Sequence, residues 1–397
     1  MWDNIRKFGL EYCDLPTMLW NVSVFLRVLT LNIDSKNKKG IPIVFYIIMS
    51  LASICYFYVH LVTMLWFVFV RSPQTGQKVE AMVVLSLGIT GEIGVLKLLN
   101  MLFYIDRIRK LTDDFLDYDS RMTPGIRLST NLKRSLRDVK KRAIIYWIVI
   151  IGNAMLYTLK PLLTPGKHLP TDWFIIYGLE PMFNSPNFEI AFIMMTSSVT
   201  VICYIAANVS GYLIVITGYA ESQLLALCEE VTHVWDDAEI HYHNVIKHET
   251  IDVSNETERR HKIMNAHVSE SLKGIITQHA IIKHFFWQIE DVFRGAIGGG
   301  LSLLILGLIF ELLGGLENTY LQMPFAFMQV GMDCFIGQRI MDASITFEQA
   351  VYECKWERFD KNNMKMVLLM LQSMSFSCLM STMKGTYSTY TTFRSNI

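Results

Sequence analysis

The sequence predicts an all-α, polytopic membrane protein with seven transmembrane helices, its N-terminus cytoplasmic and its C-terminus extracellular. Three observations carry this reading. Apolar residues make up 52% of the chain, mean hydropathy is +0.31, and charged residues reach only 18%, below the roughly 25% of soluble domains. The charges are clustered, and the apolar windows between them run to about 20 residues, the length a membrane-crossing helix needs. Lysine and arginine also concentrate on alternate connections, which sets a direction across the membrane.

The remaining composition excludes more than it assigns. The 36 basic and 36 acidic residues cancel, so net charge points to no nucleic acid or other charged partner. The seven cysteines have no metal-ligand spacing, and an odd, scattered set is no disulfide framework. Neither a metal nor a cofactor is expected. Met1 to Gly40 holds Asp3, Arg6, Lys7, Glu11 and Asp14 before any long apolar run, so the first span is expected to act as the signal anchor.

Ile41 to Val70 forms that span, nearly uncharged and closed by Arg71, Ser72 and Pro73. Val79 to Tyr104 is the second, with Glu92 and Lys97 inside it. Arg107 to Arg142 is charged and reads as a helical extension plus a loop. Ala143 to Leu163 is the third span. Thr164 to Phe188 carries Pro165, Pro170, Pro181 and Pro186 with Trp173, a composition that suits an ordered lid. Glu189 to Tyr219 is the fourth span. It continues into Ala220 to Ile246, where Leu224, Leu227, Cys228, Val231 and Val234 recur at helical spacing.

His248 to Ser269 is polar and reads as a loop. From Ser271 a second amphipathic stretch leads into the fifth span, apolar from Ala296 to Leu313. Gly298-Gly299-Gly300 opens that apolar run, so it is no phosphate loop; adjacent glycines there let helices approach closely or bend. Gly314 to Thr319 is a turn, Tyr320 to Ile340 the sixth span, and Asp342 to Lys365 charged again. The seventh span closes the chain.

Counting Lys and Arg gives the orientation. The N-terminal segment and the 107–142, 220–273 and 339–365 connections together hold 27, the opposite side six, and three lie within helices. That asymmetry places the N-terminus in the cytoplasm. Of the glycosylation patterns at Asn21, Asn208 and Asn255, the first and third are then cytoplasmic and the second is within a helix, so none should be used.

The closing stretch, Met364 to Arg394, is apolar yet rich in Ser and Thr. A span that polar packs against other helices or lines water. The pore reading takes Ser381, Thr382, Gly385, Ser388, Thr389 and Thr392 as lining residues; helix-packing is the other use of such hydroxyls. Lys384, a cation, is expected to turn away from a cation-conducting axis.

Several stretches of the C-terminal third carry more specific text. ITQHAIIKHFFWQIEDVF (276–293), FMQVGMDCFIGQRIMDAS (327–344), AVYECKWERFD (350–360) with Tyr352 and Trp356, and KGTYSTYTTFR (384–394) with Lys384, Tyr387, Ser388 and Tyr390 follow one another in order. In this order the chain resembles the insect odorant receptor family, in a form similar to lepidopteran members. The segment between Trp356 and Tyr387 is shorter than that family usually has.

The resemblance implies a subunit of a ligand-gated, non-selective cation channel that assembles with a shared co-receptor, normally as a heterotetramer. It implies a plasma-membrane location in sensory dendrites and a small, volatile, apolar ligand of the pheromone or plant-volatile kind. Residues 1–40 would form a cytoplasmic segment and 41–219 helices one to four with the ligand pocket. Residues 220–295 would be cytoplasmic helical extensions, 296–340 helices five and six, 341–372 a cytoplasmic anchor segment, and 373–397 the pore-lining seventh helix with the extracellular end. An anchor domain from helices four to seven would include Glu290, Asp291, Arg294, Tyr352 and Trp356, with Glu290 and Arg294 at the favoured i, i+4 spacing.

A pocket between helices two, three, four and six, near their outer ends, would draw on Val83, Leu87, Trp147, Tyr157 and Phe188, and on Phe192, Met195, Thr196, Phe325 and Met328. Aromatic and methionine side chains adapt to volatile shapes, and they are equally ordinary core fillers. His241 and His243 lack a third ligand for a metal. No catalytic constellation is present, so no enzyme is expected. The alternatives are a gustatory-type chemoreceptor channel, which would have Gln-Phe where Thr392-Phe393 stands, and a seven-helix G-protein-coupled receptor, which would have an outside N-terminus.

Overall fold

The computed structural model describes residues 5–35, 40–123, 125–172, 174–247, 256–320 and 322–374. Every regular element among them is helical: α1 (Leu15–Val28), α2 (Ile43–Thr75), α3 (Lys78–Phe103), α4 (Ile105–Ser120), α5 (Arg127–Leu163), α6 (Asn187–Ile246), α7 (Glu256–Gly314), α8 (Leu316–Thr319), α9 (Met323–Tyr352) and α10 (Lys361–Met374). Helix α1 starts where Asp14 caps it: the carboxylate accepts from Thr17 N at 3.0 Å, and a proline follows in the first turn. Two π-helical stretches, Tyr58–Thr63 and Phe67–Arg71, interrupt α2.

Among the described residues five helices (α2, α3, α5, α6 and α7) are long and apolar enough to cross a membrane. The expected pore residues Ser381, Thr382, Gly385, Ser388, Thr389 and Thr392 lie outside the described residues, as does Lys384.

Three sequence expectations need correction. The stretch 107–142, expected as a helical extension plus a loop, has only a short loop: α4 ends at Ser120 and α5 begins at Arg127, so most of its charges lie on helical turns. The polar stretch 256–269 is helical, not a loop, because Met264, Val268, Leu272 and Ile275 keep one buried face while the charges occupy the other. The sixth helix runs on to Tyr352, and the 314–319 turn contains the short α8.

The chain divides into two compact units. One comprises Met1–Leu116, Lys140–Val215 and Val292–Phe335, the other Asp117–Val139, Ile216–Asp291 and Ile336–Ile397.

In the first unit α3 and α7 run antiparallel in close contact, and glycine makes the contact possible. A Cβ on Gly307 would stand 2.7 Å from Thr90 Cγ2, and one on Gly299 2.8 Å from Leu96 Cδ2. At Gly314 it would stand 2.6 Å from Val83 Cγ2 and 3.2 Å from the Val83 backbone nitrogen. Without a hydrophobic drive between helices in lipid, such small-residue contacts supply the packing. Gly314→Ala should therefore lower stability by about 1–3 kcal/mol, because Val83 backbone must move. Gly298→Ala, with nothing within 4 Å, should be near neutral. Thermal unfolding of both variants in nanodiscs checks the pair.

The second unit is a helical bundle built from the polar-edged parts of α6, α7 and α9 with α10. Leu227, Val231, Val268, Leu272, Phe347 and Val351 lie among its buried core. Around it Arg127 bridges Glu230 (2.8 Å) and Asp237 (2.6 Å), Lys355 meets Asp236 at 2.6 Å, and Arg339 meets buried Glu221 at 2.6 Å. Asn265 ties α7 to the α10 start: its Oδ1 accepts from Asp360 N (2.8 Å), and its backbone carbonyl accepts from Asn363 Nδ2 (2.9 Å). Trp356 packs on this core while Tyr352 is exposed. Glu290 and Asp291 lie on the part of α7 in this unit, and Arg294 on the part in the first.

Candidate functional site

Polar side chains inside apolar helices are costly, so those that persist mark places where a helix meets another or a ligand. Helix α3 carries three such positions facing the α8–α9 region. The Ser86 hydroxyl donates to Gln322 Oε1 at 2.8 Å. One turn further along α3, the Thr90 carbonyl accepts from Gln329 Nε2 at 3.3 Å. Two turns beyond, Lys97 Nζ lies 2.6 Å from Asp333 Oδ2, with both side chains at least 96% buried. Lys97 also donates to Ser210 Oγ at 3.3 Å, and the Tyr146 hydroxyl nearby donates to the Ala206 carbonyl at 3.5 Å. These contacts form one polar seam between α3 and α9.

At the Ser86 end the seam opens on a small cavity. Leu87 and Gly91 of α3, Asn153 and Tyr157 of α5, Ile202 and Cys203 of α6, and Gln322 and Phe325 line it. Tyr157 and Gln322 both stand in its wall. The free volume is about 20 Å³, room for one water; an odorant must displace side chains to enter. Leu87, Tyr157 and Phe325 are thus brought together, whereas the other expected pocket residues are spread out.

Phe188, Phe192 and Met195 pack in a separate cluster with Val59, Phe67, Phe174 and Ile176, beneath the 164–186 connection. That connection is ordered by its own contacts. Tyr58 donates to the Tyr177 carbonyl at 2.8 Å, Arg71 pairs with Glu180 at 3.2 Å, and His168 Nδ1 lies 2.7 Å from Asp172 Oδ2. The Asp172 carboxylate beside His168 raises the imidazole above its ordinary value. Trp173 lies outside the described residues.

Val83 meets the Gly314 backbone. Trp147 belongs to a different, apolar cavity of about 380 Å³ with Phe8, Val22 and Ile144, where its ring stacks on Phe25 at 5.6 Å. Thr196 is half-buried with its hydroxyl lacking a partner among the described residues, and Met328 is half-buried.

Sequence reasoning passed over Ser86, Asn153, Gln322, Gln329 and Glu311. The available signal was their polarity within apolar runs, the one that marked Glu92 and Lys97. Glu92 accepts from the Tyr56 hydroxyl of α2. Among the described residues no cluster of three or more His, Cys, Asp or Glu could hold a metal; His241 instead stacks on His267, ring centres 4.4 Å apart.

A family model described as 7tm Odorant receptor matches residues 77–388. No curated protein matches the chain. Among solved structures the chain is similar to the insect olfactory receptor OR5 from Machilis hrabei, with a TM-score of 0.67 and 11% identity over 91% of this chain and 90% of that one. That likeness shows a shared helical fold.

Proposed function

The chain belongs to the 7tm odorant receptor family, and from that premise we propose that it is the odorant-binding subunit of a ligand-gated, non-selective cation channel assembled with the family's co-receptor as a heterotetramer. It sits in the plasma membrane of a sensory dendrite with its N-terminus inside, and it takes a small volatile of largely apolar surface. Residues 373–397 line the pore, and the second unit anchors the assembly.

One observation carries the reading: the cavity bordered by Leu87, Tyr157 and Phe325 is continuous with the α3–α9 seam through Gln322. A ligand that enters must displace Tyr157 or Phe325, and so disturbs the bonds that hold Gln322. Phe325 lies in the first turn of α9, which is unbroken to Tyr352; displacement there tilts the whole helix. Opening is then a population shift toward the state whose cavity is larger, driven by the ligand's higher affinity for it.

The G-protein-coupled alternative requires the opposite orientation. An epitope tag at the N-terminus should stain only permeabilised cells, and one at the C-terminus should stain intact cells. The reverse pattern would refute the channel topology. The Lys and Arg asymmetry of 27 to six supports the inside N-terminus. Thr392-Phe393 in place of Gln-Phe disfavours a gustatory-type channel.

A further inference from the structure

We infer that this receptor selects odorants carrying a hydrogen-bond donor, an alcohol or amine group on an apolar chain, and that Glu311 is the acceptor that selects them. The inference rests on the proposed odorant-binding role and narrows its ligand class.

Glu311 lies in the apolar part of α7, is 0% exposed, and among the described residues neither of its carboxylate oxygens has a hydrogen-bond partner. A buried carboxylate without a partner is strongly unfavourable, and nothing about packing requires one here. Its direction follows from its neighbours. Gly307, Glu311 and Gly314 share one face of α7 by their spacing. Gly307 abuts Thr90, and Gly314 abuts Val83. Glu311 therefore faces α3 between those two levels, where Ser86 and Leu87 stand.

Leu87 lines the cavity, and so does Tyr157, whose hydroxyl is in electrostatic range of Glu311. Among the described residues no donor reaches either carboxylate oxygen, and the nearby Ser86 hydroxyl donates instead to Gln322 Oε1. A ligand that parts Tyr157 from Phe325 brings its own O–H or N–H to an acceptor that has none. An ester, ether or hydrocarbon of the same length brings no donor and leaves the carboxylate unsatisfied.

The test uses the full chain co-expressed with the co-receptor in oocytes. Matched hexyl to dodecyl series are applied as 1-alkanol, 1-aminoalkane, acetate and methyl ether. The alcohol or the amine should activate at concentrations about tenfold lower than the acetate and ether of equal length, the scale of one hydrogen bond to a charged group. E311L should abolish that preference while acetate and ether responses stay within about twofold. E311Q keeps an acceptor oxygen and loses the charge, so it should weaken the amine response more than the alcohol response.

Equal potency of donors and non-donors on the wild type would overturn the inference. So would an E311L variant that reaches the surface and loses all responses equally. If E311L fails to reach the surface, E311Q decides, and an unchanged amine-to-alcohol ratio there overturns the inference. Silence to every compound in the presence of surface receptor and co-receptor would overturn the proposed function itself, a separate result.

Discussion

Replacing Lys97 by methionine is expected to destabilise the protein by about 3–5 kcal/mol and to remove it from the cell surface. The expectation comes from what Asp333 loses. Its Oδ2 lies 2.6 Å from the Lys97 amine, its Oδ1 has no partner among the described residues, and its side chain is 96% buried. Without Lys97 a carboxylate is stranded among α3, α6 and α9. The pair itself need not be stabilising, since two charges pay a large desolvation cost to meet in an apolar interior. The double variant Lys97→Met/Asp333→Leu should therefore recover most of the lost stability. If the double variant is as damaged as the single, the ion pair has another role. Surface biotinylation and nanodisc unfolding of the three proteins separate these outcomes.

Lys140→Met should cost about 2–4 kcal/mol, from the loss of several hydrogen bonds made by a charged donor. Lys140 is 3% exposed, and its amine donates to the carbonyls of Lys7 (2.7 Å), Gly9 (2.6 Å) and Tyr12. One cation thus gathers the six residues from Lys7 to Tyr12, which form no regular helix. Asn21 reinforces the fold-back by donating to the Lys7 carbonyl at 3.0 Å. With methionine at 140 the carbonyls lose their donor, and the segment ahead of α1 should become susceptible to trypsin at Arg6 and Lys7. Lys140→Arg should not restore protection fully, because a planar guanidinium cannot point three donors at carbonyls gathered round a single ammonium. Unchanged cleavage in Lys140→Met would show that α1 alone holds the segment.

The helices were legible because membrane insertion leaves a coarse record: long apolar windows between charge clusters. The 256–269 stretch shows where that record fails. Its composition is set by Glu256, Glu258, Arg259, Arg260 and Lys262, whereas its structure is set by the buried face that begins at Met264 and Val268. Periodicity over so few apolar positions is easily masked by the charges between them.

The site divides in the same way. Lys97 and Glu92 stood out as charges inside a span, but their partners Asp333 and Tyr56 come from other helices, and pairing across a bundle leaves no local trace. Apolar candidates were harder still. Phe188 and Phe192 have the same character as Phe325, yet two pack against the 164–186 connection and one borders the cavity. Residue type fixes that a side chain is buried, not what it is buried against. Glycine was more informative: the run at 298–300 was expected to permit close helix contact, and Gly299 and Gly300 do meet α3 at Leu96 and Ile93.

The measurement that bears most directly on the account is two-electrode recording from oocytes expressing this chain with the co-receptor, challenged with acetates, aldehydes, alcohols, amines, aromatics and terpenes. The account predicts an inward, non-selective cation current to at least one class, absent when either subunit is omitted and insensitive to G-protein blockade. Receptor at the surface with no current to any class, or a current that G-protein blockade abolishes, would contradict it.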